Sequence, residues 1–108
     1  EENADMLERA LLSLPFFSDT LICKSWKSGV EISPKGATKG EAIDFVKKYC
    51  GAHTSVGIGD YGNDLAMLRV ADVPVCPANA IDEVKNICQM VLCHHTEGVI
   101  ADLIERLS

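Results

Sequence analysis

Positive charge is scarce in this sequence: 10 lysines and arginines stand against 16 aspartates and glutamates, for a net charge of −6. A nucleic-acid partner demands a basic face, so this shortage excludes a nucleic-acid binder. Phosphorylated small molecules stay open, because a few local groups and a metal ion offset a global charge. No apolar run reaches the length of a membrane span or a signal-peptide core, so no membrane partner is expected. The five cysteines are an odd number and none forms a Cys-x-x-Cys pair. A disulfide framework is therefore not expected, and a cytoplasmic location is. Cys88, Cys93, His94 and His95 invite zinc, but their spacing matches no familiar zinc site. Repeats and low-complexity segments are absent. What remains is a chain of 108 residues, 47% hydrophobic, with one domain's worth of core and less than most complete enzymes need.

One stretch organises the rest. Thr54-Ser55-Val56-Gly57-Ile58 is a short β-branched run that predicts a buried strand, and Leu65 and Leu68 open a helix after it. Between them lie Gly59, Asp60, Tyr61, Gly62, Asn63 and Asp64. An open α/β sheet places its ligand at the carboxyl ends of its strands, where this acidic loop falls. Asp60 and Asp64 are four positions apart, a spacing at which like charges cost about 0.2–0.5 kcal/mol. Either Asp64 caps the helix and Asp60 is a turn residue, or the pair faces Mg²⁺, which takes one or two carboxylates with water and phosphate oxygens. Gly57, Gly59 and Gly62 allow close approach of a ligand and favour the second reading. The same glycines match a dinucleotide fingerprint by spacing. Asp60 would then stand where a pyrophosphate must land, and the next strand ends near Cys76 without an acid to hold a ribose.

Residues 2–14 read as a helix, with Met6, Leu7, Ala10, Leu11 and Leu14 on one face, stopped by Pro15. Ser18 to Ser25 reads as a strand, and Val30 to Ile32 resumes extended structure. From Thr38 onward helix and strand alternate, the pattern of a parallel sheet. Thr38 and Glu41 form a capping box opening a helix whose core face is Ala42, Phe45, Val46 and Tyr49, ended by Gly51. Strands follow at 55–58, 73–76 and 89–93, with Pro74 suited to a strand start or an edge. Asn79 or Asp82 caps the intervening helix. Thr96 caps the last one, whose stripe is Val99, Ile100, Leu103, Ile104 and Leu107. Lys39 and Gly40 sit in the first turn of their helix, where a cation and a glycine both weaken it. A phosphate docked at that helix start would give both a purpose.

The loop from Gly59 to Asp64 resembles the metal motif of the haloacid dehalogenase superfamily, most of all its Cof-type branch, in which a large α/β cap is inserted late in the core. Glu31-Ile32-Ser33-Pro34 ahead of Lys39-Gly40, then Asn79-Ala80 and Glu97-Gly98-Val99, stand at matching places, so the likeness runs from about Thr20 to Leu107. The resemblance implies a Rossmann-like parallel sheet flanked by helices. Residues 34–108 would be the C-terminal part of the core and residues 1–33 the end of the cap with its return strand. It also implies a Mg²⁺-dependent phosphatase acting on small phosphomonoesters such as sugar phosphates. By this likeness Asp60 binds the metal, and Lys39 binds the transferring phosphoryl group and screens the nucleophile. Asn63 touches the phosphate, and Asp64 reaches the metal through water or holds the loop. Tyr61 packs the loop or contacts substrate, and Asn79 supports the site as a cap.

The family's nucleophile motif, Asp-x-Asp-x-(Thr/Val), has no counterpart here, and neither does its motif II Ser or Thr. Asp19-Thr20 lacks the paired acid, and Cys76-Pro77-Ala78 replaces the usual Met–Gly before Asn79. The chain is expected to be the C-terminal portion of a longer phosphatase, partnered by an N-terminal segment of the same protein and inactive alone. A non-catalytic metal- or phosphate-binding or scaffolding domain, and a phosphomutase, are the other readings.

Overall fold

The computed structural model describes residues 2–15, 20–26 and 28–108. Along them run α1 Glu2–Leu12, β1 Thr20–Trp26, β2 Gly29–Pro34, α2 Lys39–Tyr49, β3 Val56–Ile58, α3 Leu65–Val70, β4 Val73–Cys76, α4 Asp82–Ile87, β5 Met90–Val91 and α5 Val99–Leu107. Ser18 and Asp19, expected at the start of β1, lie outside the described residues.

Two sheets form. β1 and β2 make an antiparallel hairpin in which Leu21 faces Ser33 and Cys23 faces Glu31 across the strands, and α1 packs on it. β3, β4 and β5 make a parallel sheet with β4 in the middle, crossed by α3 and α4. The expected parallel α/β architecture is the one adopted. Pro74 sits in the central strand rather than at an edge. Its carbonyl accepts the Gln89 N–H at 2.8 Å, so it faces β5, and its missing donor falls before β5 begins at Met90. The tight core lies where α3 and α4 meet β4, around Leu68, Cys76, Ala80 and Val84. Leu68 is only 1% exposed.

Capping at α2 follows expectation. Glu41 N–H donates to Thr38 Oγ1 at 3.1 Å, and Thr38 N–H donates to Glu41 Oε2 at 3.0 Å, the reciprocal pair of a capping box. Its inward face does not follow. Gly40 is buried and Ile43 half-buried, whereas Phe45 is 69% and Tyr49 83% exposed. The cause is Gly40: a Cβ there would stand 2.7 Å from the Ala66 carbonyl oxygen, so only glycine lets α2 approach α3 this closely. That rotates the Phe45–Tyr49 stripe outward, where the two rings stack at 6.3 Å. Val46 and Cys50 border a groove beside Val56 on the free edge of β3.

Five more expectations need correction. α1 buries Ala4, while Met6, Leu7 and Leu14 are exposed. In α5, Ile100, Ile104 and Leu107 are exposed, and the helix is held instead by Asp102, which accepts the Cys93 N–H at 2.8 Å. Asn79 caps no helix: Ile81 precedes α4 without a side-chain cap, and Asn79 Oδ1 accepts the His95 N–H at 3.0 Å. Nor does Thr96 cap α5, which follows Gly98 at φ +83°; Thr96 Oγ1 lies 2.8 Å from His94 Nδ1. β5 is also shorter than the 89–93 run, although the Leu92 N–H still reaches the Cys76 carbonyl at 2.7 Å. The radius of gyration, 15.4 Å, exceeds the ~13 Å of a compact chain this long. These apolar faces therefore do not close on one core. All five cysteines are free, Cys76 buried and Cys50 exposed.

Candidate active site

The loop after β3 leaves the carboxyl edge of the parallel sheet, and a short 3₁₀ turn over Gly62–Asp64 leads into α3. Asp64 is its centre. The residue is buried at 7% exposure, and Oδ2 accepts the amides of Asp60 at 3.0 Å and Tyr61 at 3.3 Å. Oδ1 receives Lys39 Nζ from α2 at 2.5 Å. Burial by itself raises the Asp64 carboxyl; hydrogen bonding to Lys39, helped by the two amides, outweighs it and holds the group below the ordinary carboxylate value.

That ion pair changes the physical reading of Lys39. The cation at the helix start is matched by an anion from its own chain, which offsets the unfavourable macrodipole. Gly59 changes meaning too. A Cβ on it would meet Asp64 Cγ at 2.8 Å and Oδ2 at 2.9 Å, so its bareness makes room for Asp64 rather than directly for a ligand. Around Gly62 there is open space within 4 Å.

Asp60 differs from Asp64 in being uncommitted. Its carbonyl accepts the Ile81 N–H at 3.1 Å, but among the described residues no hydrogen bond or ion pair engages its carboxylate. It lines a cleft of about 210 Å³ together with Gly59, Asp64, Pro77 and His95. Asn63 points elsewhere. With Lys39 it lines a second cleft, of about 390 Å³, between the hairpin and α3, where Glu31 and Arg69 also stand; Asn63 Nδ2 is 3.5 Å from Glu31 Oε2. The four expected residues thus divide, Asp60 and Asp64 on one cleft and Lys39 and Asn63 on the other, joined by the Lys39–Asp64 pair. Tyr61 borders a third hollow with Glu8, Cys23 and Glu83. Lys35 is exposed.

His95, Glu31 and Arg69 were not singled out from the sequence as parts of this site. The signal for His95 was its place just after β5, at the same carboxyl edge as Asp60. For Glu31 it was the alternation along β2.

Residues 1–104 match the model of the haloacid dehalogenase-like hydrolases. The chain belongs to that family. Within it, the Cof-type branch is the one its features and neighbours share. It is 32% identical over 105 residues to 5-amino-6-(5-phospho-D-ribitylamino)uracil phosphatase of Bacillus subtilis, covering 95% of this chain and 37% of that protein. It is 41% identical over 77 residues to phosphoglycolate phosphatase 2 of Saccharolobus solfataricus, covering 70% of this chain and 33% of the other. Its fold superposes on a subclass IIB sugar phosphatase with a TM-score of 0.80 at 26% identity, covering 95% of this chain and 39% of that one. The chain therefore spans between a third and two fifths of the length of these relatives. It is a haloacid dehalogenase-like hydrolase sequence, and the relatives named here carry phosphatase names.

The donors present fit Mg²⁺. One free carboxylate beside a loop of backbone amides leaves the remaining positions to water and phosphate, the mode this ion prefers. Among the described residues no group of three or more His, Cys, Asp or Glu side chains gathers into a closed metal cage, so an ion here would need ligands from substrate and solvent. No described helix is long and apolar enough to cross a membrane.

Proposed function

We propose that these residues form the metal- and phosphate-binding part of a phosphomonoester hydrolase acting on small phosphorylated metabolites such as sugar phosphates. The observation that carries this reading is an uncommitted Asp60 carboxylate in a loop to which Lys39 is tied through Asp64, at the carboxyl edge of a parallel sheet. Its relatives' phosphatase names support it.

Asp60 would be the protein ligand of Mg²⁺, which supplies charge neutralisation at the phosphoryl oxygens. Asp64, with both oxygens engaged, holds the loop and the lysine and would reach the ion only through water. Lys39 and the Asn63 carboxamide stabilise the equatorial oxygens as charge builds on them. The attacking carboxylate is assigned to residues beyond these 108, since the sequence has no Asp-x-Asp-x-(Thr/Val) motif. It would displace the alkoxide to form an aspartyl-phosphate that water then hydrolyses. In this arrangement residues 34–108 belong to the core and residues 1–33 to the end of a cap, and the reaction takes place in the cytoplasm. The binding half is tested by titrating Mg²⁺ and inorganic phosphate into the chain, with Asp60→Asn and Lys39→Met as variants. Asp60→Asn should abolish the response to Mg²⁺, and Lys39→Met should weaken phosphate at unchanged fold. Tight Mg²⁺ binding that survives Asp60→Asn refutes the assignment.

A further inference from the structure

The cleft that holds Lys39 and Asn63 has a second wall of different chemistry. Side chains alternate across a strand, so the register that pairs Leu21 with Ser33 and Cys23 with Glu31 puts these four on one face of the hairpin, and all four line the cleft. Among the described residues Glu31 is the one carboxylate lining that wall. Its Oε2 is 3.5 Å from Asn63 Nδ2 and 4.0 Å from Cys23 Sγ. Both contacts are at the outer limit for a hydrogen bond. A carboxylate offers about four acceptor positions, so most of Glu31's capacity faces the open cleft. Lys39 and Arg69 also line the cleft; Lys39 is paired with Asp64, and among the described residues no ion pair joins Glu31 to either cation.

We propose that Glu31 is a specificity-determining residue. It accepts hydrogen bonds from hydroxyl or ammonium groups on the carbons next to the phosphoester, and it repels substrates that carry a carboxylate there. The inference rests on the phosphatase reading, which sets the phosphate against Lys39 and Asn63. A phosphate at Asn63 brings the adjoining carbons within one side chain's reach of Glu31. Hydroxylated carbons gain an acceptor there, whereas a vicinal carboxylate meets the like charge of Glu31, which no ion pair neutralises among the described residues.

The test titrates the Mg²⁺-loaded 108-residue protein by NMR with inorganic phosphate, glycerol 3-phosphate and 2-phosphoglycolate, in wild type, Glu31→Gln and Lys39→Met. Glu31 is exposed, so the isosteric change should leave the fold intact. Two like charges near 4 Å apart in water differ from an uncharged pair by about fivefold in affinity, so the wild type should favour glycerol 3-phosphate over 2-phosphoglycolate by at least about that factor. Glu31→Gln should bring the two within about twofold, chiefly by tightening 2-phosphoglycolate, with inorganic phosphate unchanged. A wild type without preference, or a preference that Glu31→Gln leaves in place, overturns the inference while phosphate binding stands. Equal weakening of all three ligands by Glu31→Gln also overturns it, since Glu31 would then merely orient Asn63. Failure of inorganic phosphate to bind, or binding indifferent to Lys39→Met, brings down the phosphatase reading and the inference with it.

Discussion

Gly59→Ala should collapse the centre of this site although it adds a single methyl group. The new Cβ would lie 2.5 Å from Asp64 Cβ and 2.8 Å from its Cγ, separations that atoms do not tolerate, so Asp64 must move. Its position is what lets Oδ2 receive two amides at 3.0 and 3.3 Å and Oδ1 receive Lys39 at 2.5 Å. A hydrogen bond to a charged group is worth about 1.5–3 kcal/mol net. Losing one of the amide bonds and loosening the ion pair gives a destabilisation of about 3 kcal/mol, within the range for breaking a buried polar network. Denaturant unfolding should show this as a lower midpoint with an unchanged slope. Gly62→Ala is the control: nothing stands within 4 Å of its Cβ position, and it should stay within about 0.5 kcal/mol of wild type.

A second readout separates a lost network from simple overpacking. Asp64 titrates below its ordinary value in the folded chain, so its contribution is present above the unfolded-state pKa and is lost as pH falls through the lowered folded value. In Gly59→Ala the carboxyl loses the partners that lower it. The stability gap between wild type and variant should therefore narrow on acidification below about pH 4. If Gly59→Ala unfolds within about 0.5 kcal/mol of wild type, or the gap is independent of pH, Asp64 does not organise the loop as its geometry says.

Asp72 fastens the opposite edge of the sheet: its Oδ2 accepts Lys47 Nζ at 2.6 Å, the Ser55 amide at 2.8 Å and the Ser55 hydroxyl at 2.9 Å, and its carboxyl is held down at about 2. Asp72→Asn should lower the thermal midpoint near pH 5, with the difference closing as pH falls through about 2; a difference that persists at the lowest pH would refute the clamp. Phe45→Ser, on the outward face of α2, should change the stability of the 108-residue chain by no more than about 0.5 kcal/mol. A loss of 3 kcal/mol or more, as for a buried Phe, would mean that this face is covered.

The sequence is legible wherever a signal is local. The capping box at Thr38 and Glu41, the strand at Val56–Ile58 and the loop that follows it, and the alternation that makes the sheet parallel all depend on neighbours a few residues apart. The apolar faces of α1, α2 and α5 misled for one shared reason. Periodicity shows which residues form a stripe, but not which side another element will cover. In α2 the decision is made by Gly40, whose lack of a side chain draws that helix onto α3 and turns the larger residues away. Composition read Gly40 as a weak spot in a helix, because the atom it must avoid, the Ala66 carbonyl, is 26 residues away in the chain.

The site shows the same division between local and distant. Spacing alone picked out Asp60, Asn63 and Asp64 as a chemically unusual loop, and the awkward placement of Lys39 marked it as a residue with a purpose. What spacing does not reveal is that the two aspartates do different work. Asp64 spends both oxygens inside the protein, on two amides and a lysine from a separate helix. The like-charge cost of a four-residue spacing is thereby relieved without any ion: one carboxylate is neutralised by Lys39, and the other is left free at the mouth of the cleft. On the proposed reading, such a loop holds one uncommitted carboxylate ready for a cation and, through Asp64, keeps Lys39 in place for a phosphate. Preorganisation of that kind makes electrostatic stabilisation effective, because little reorganisation remains when charge develops.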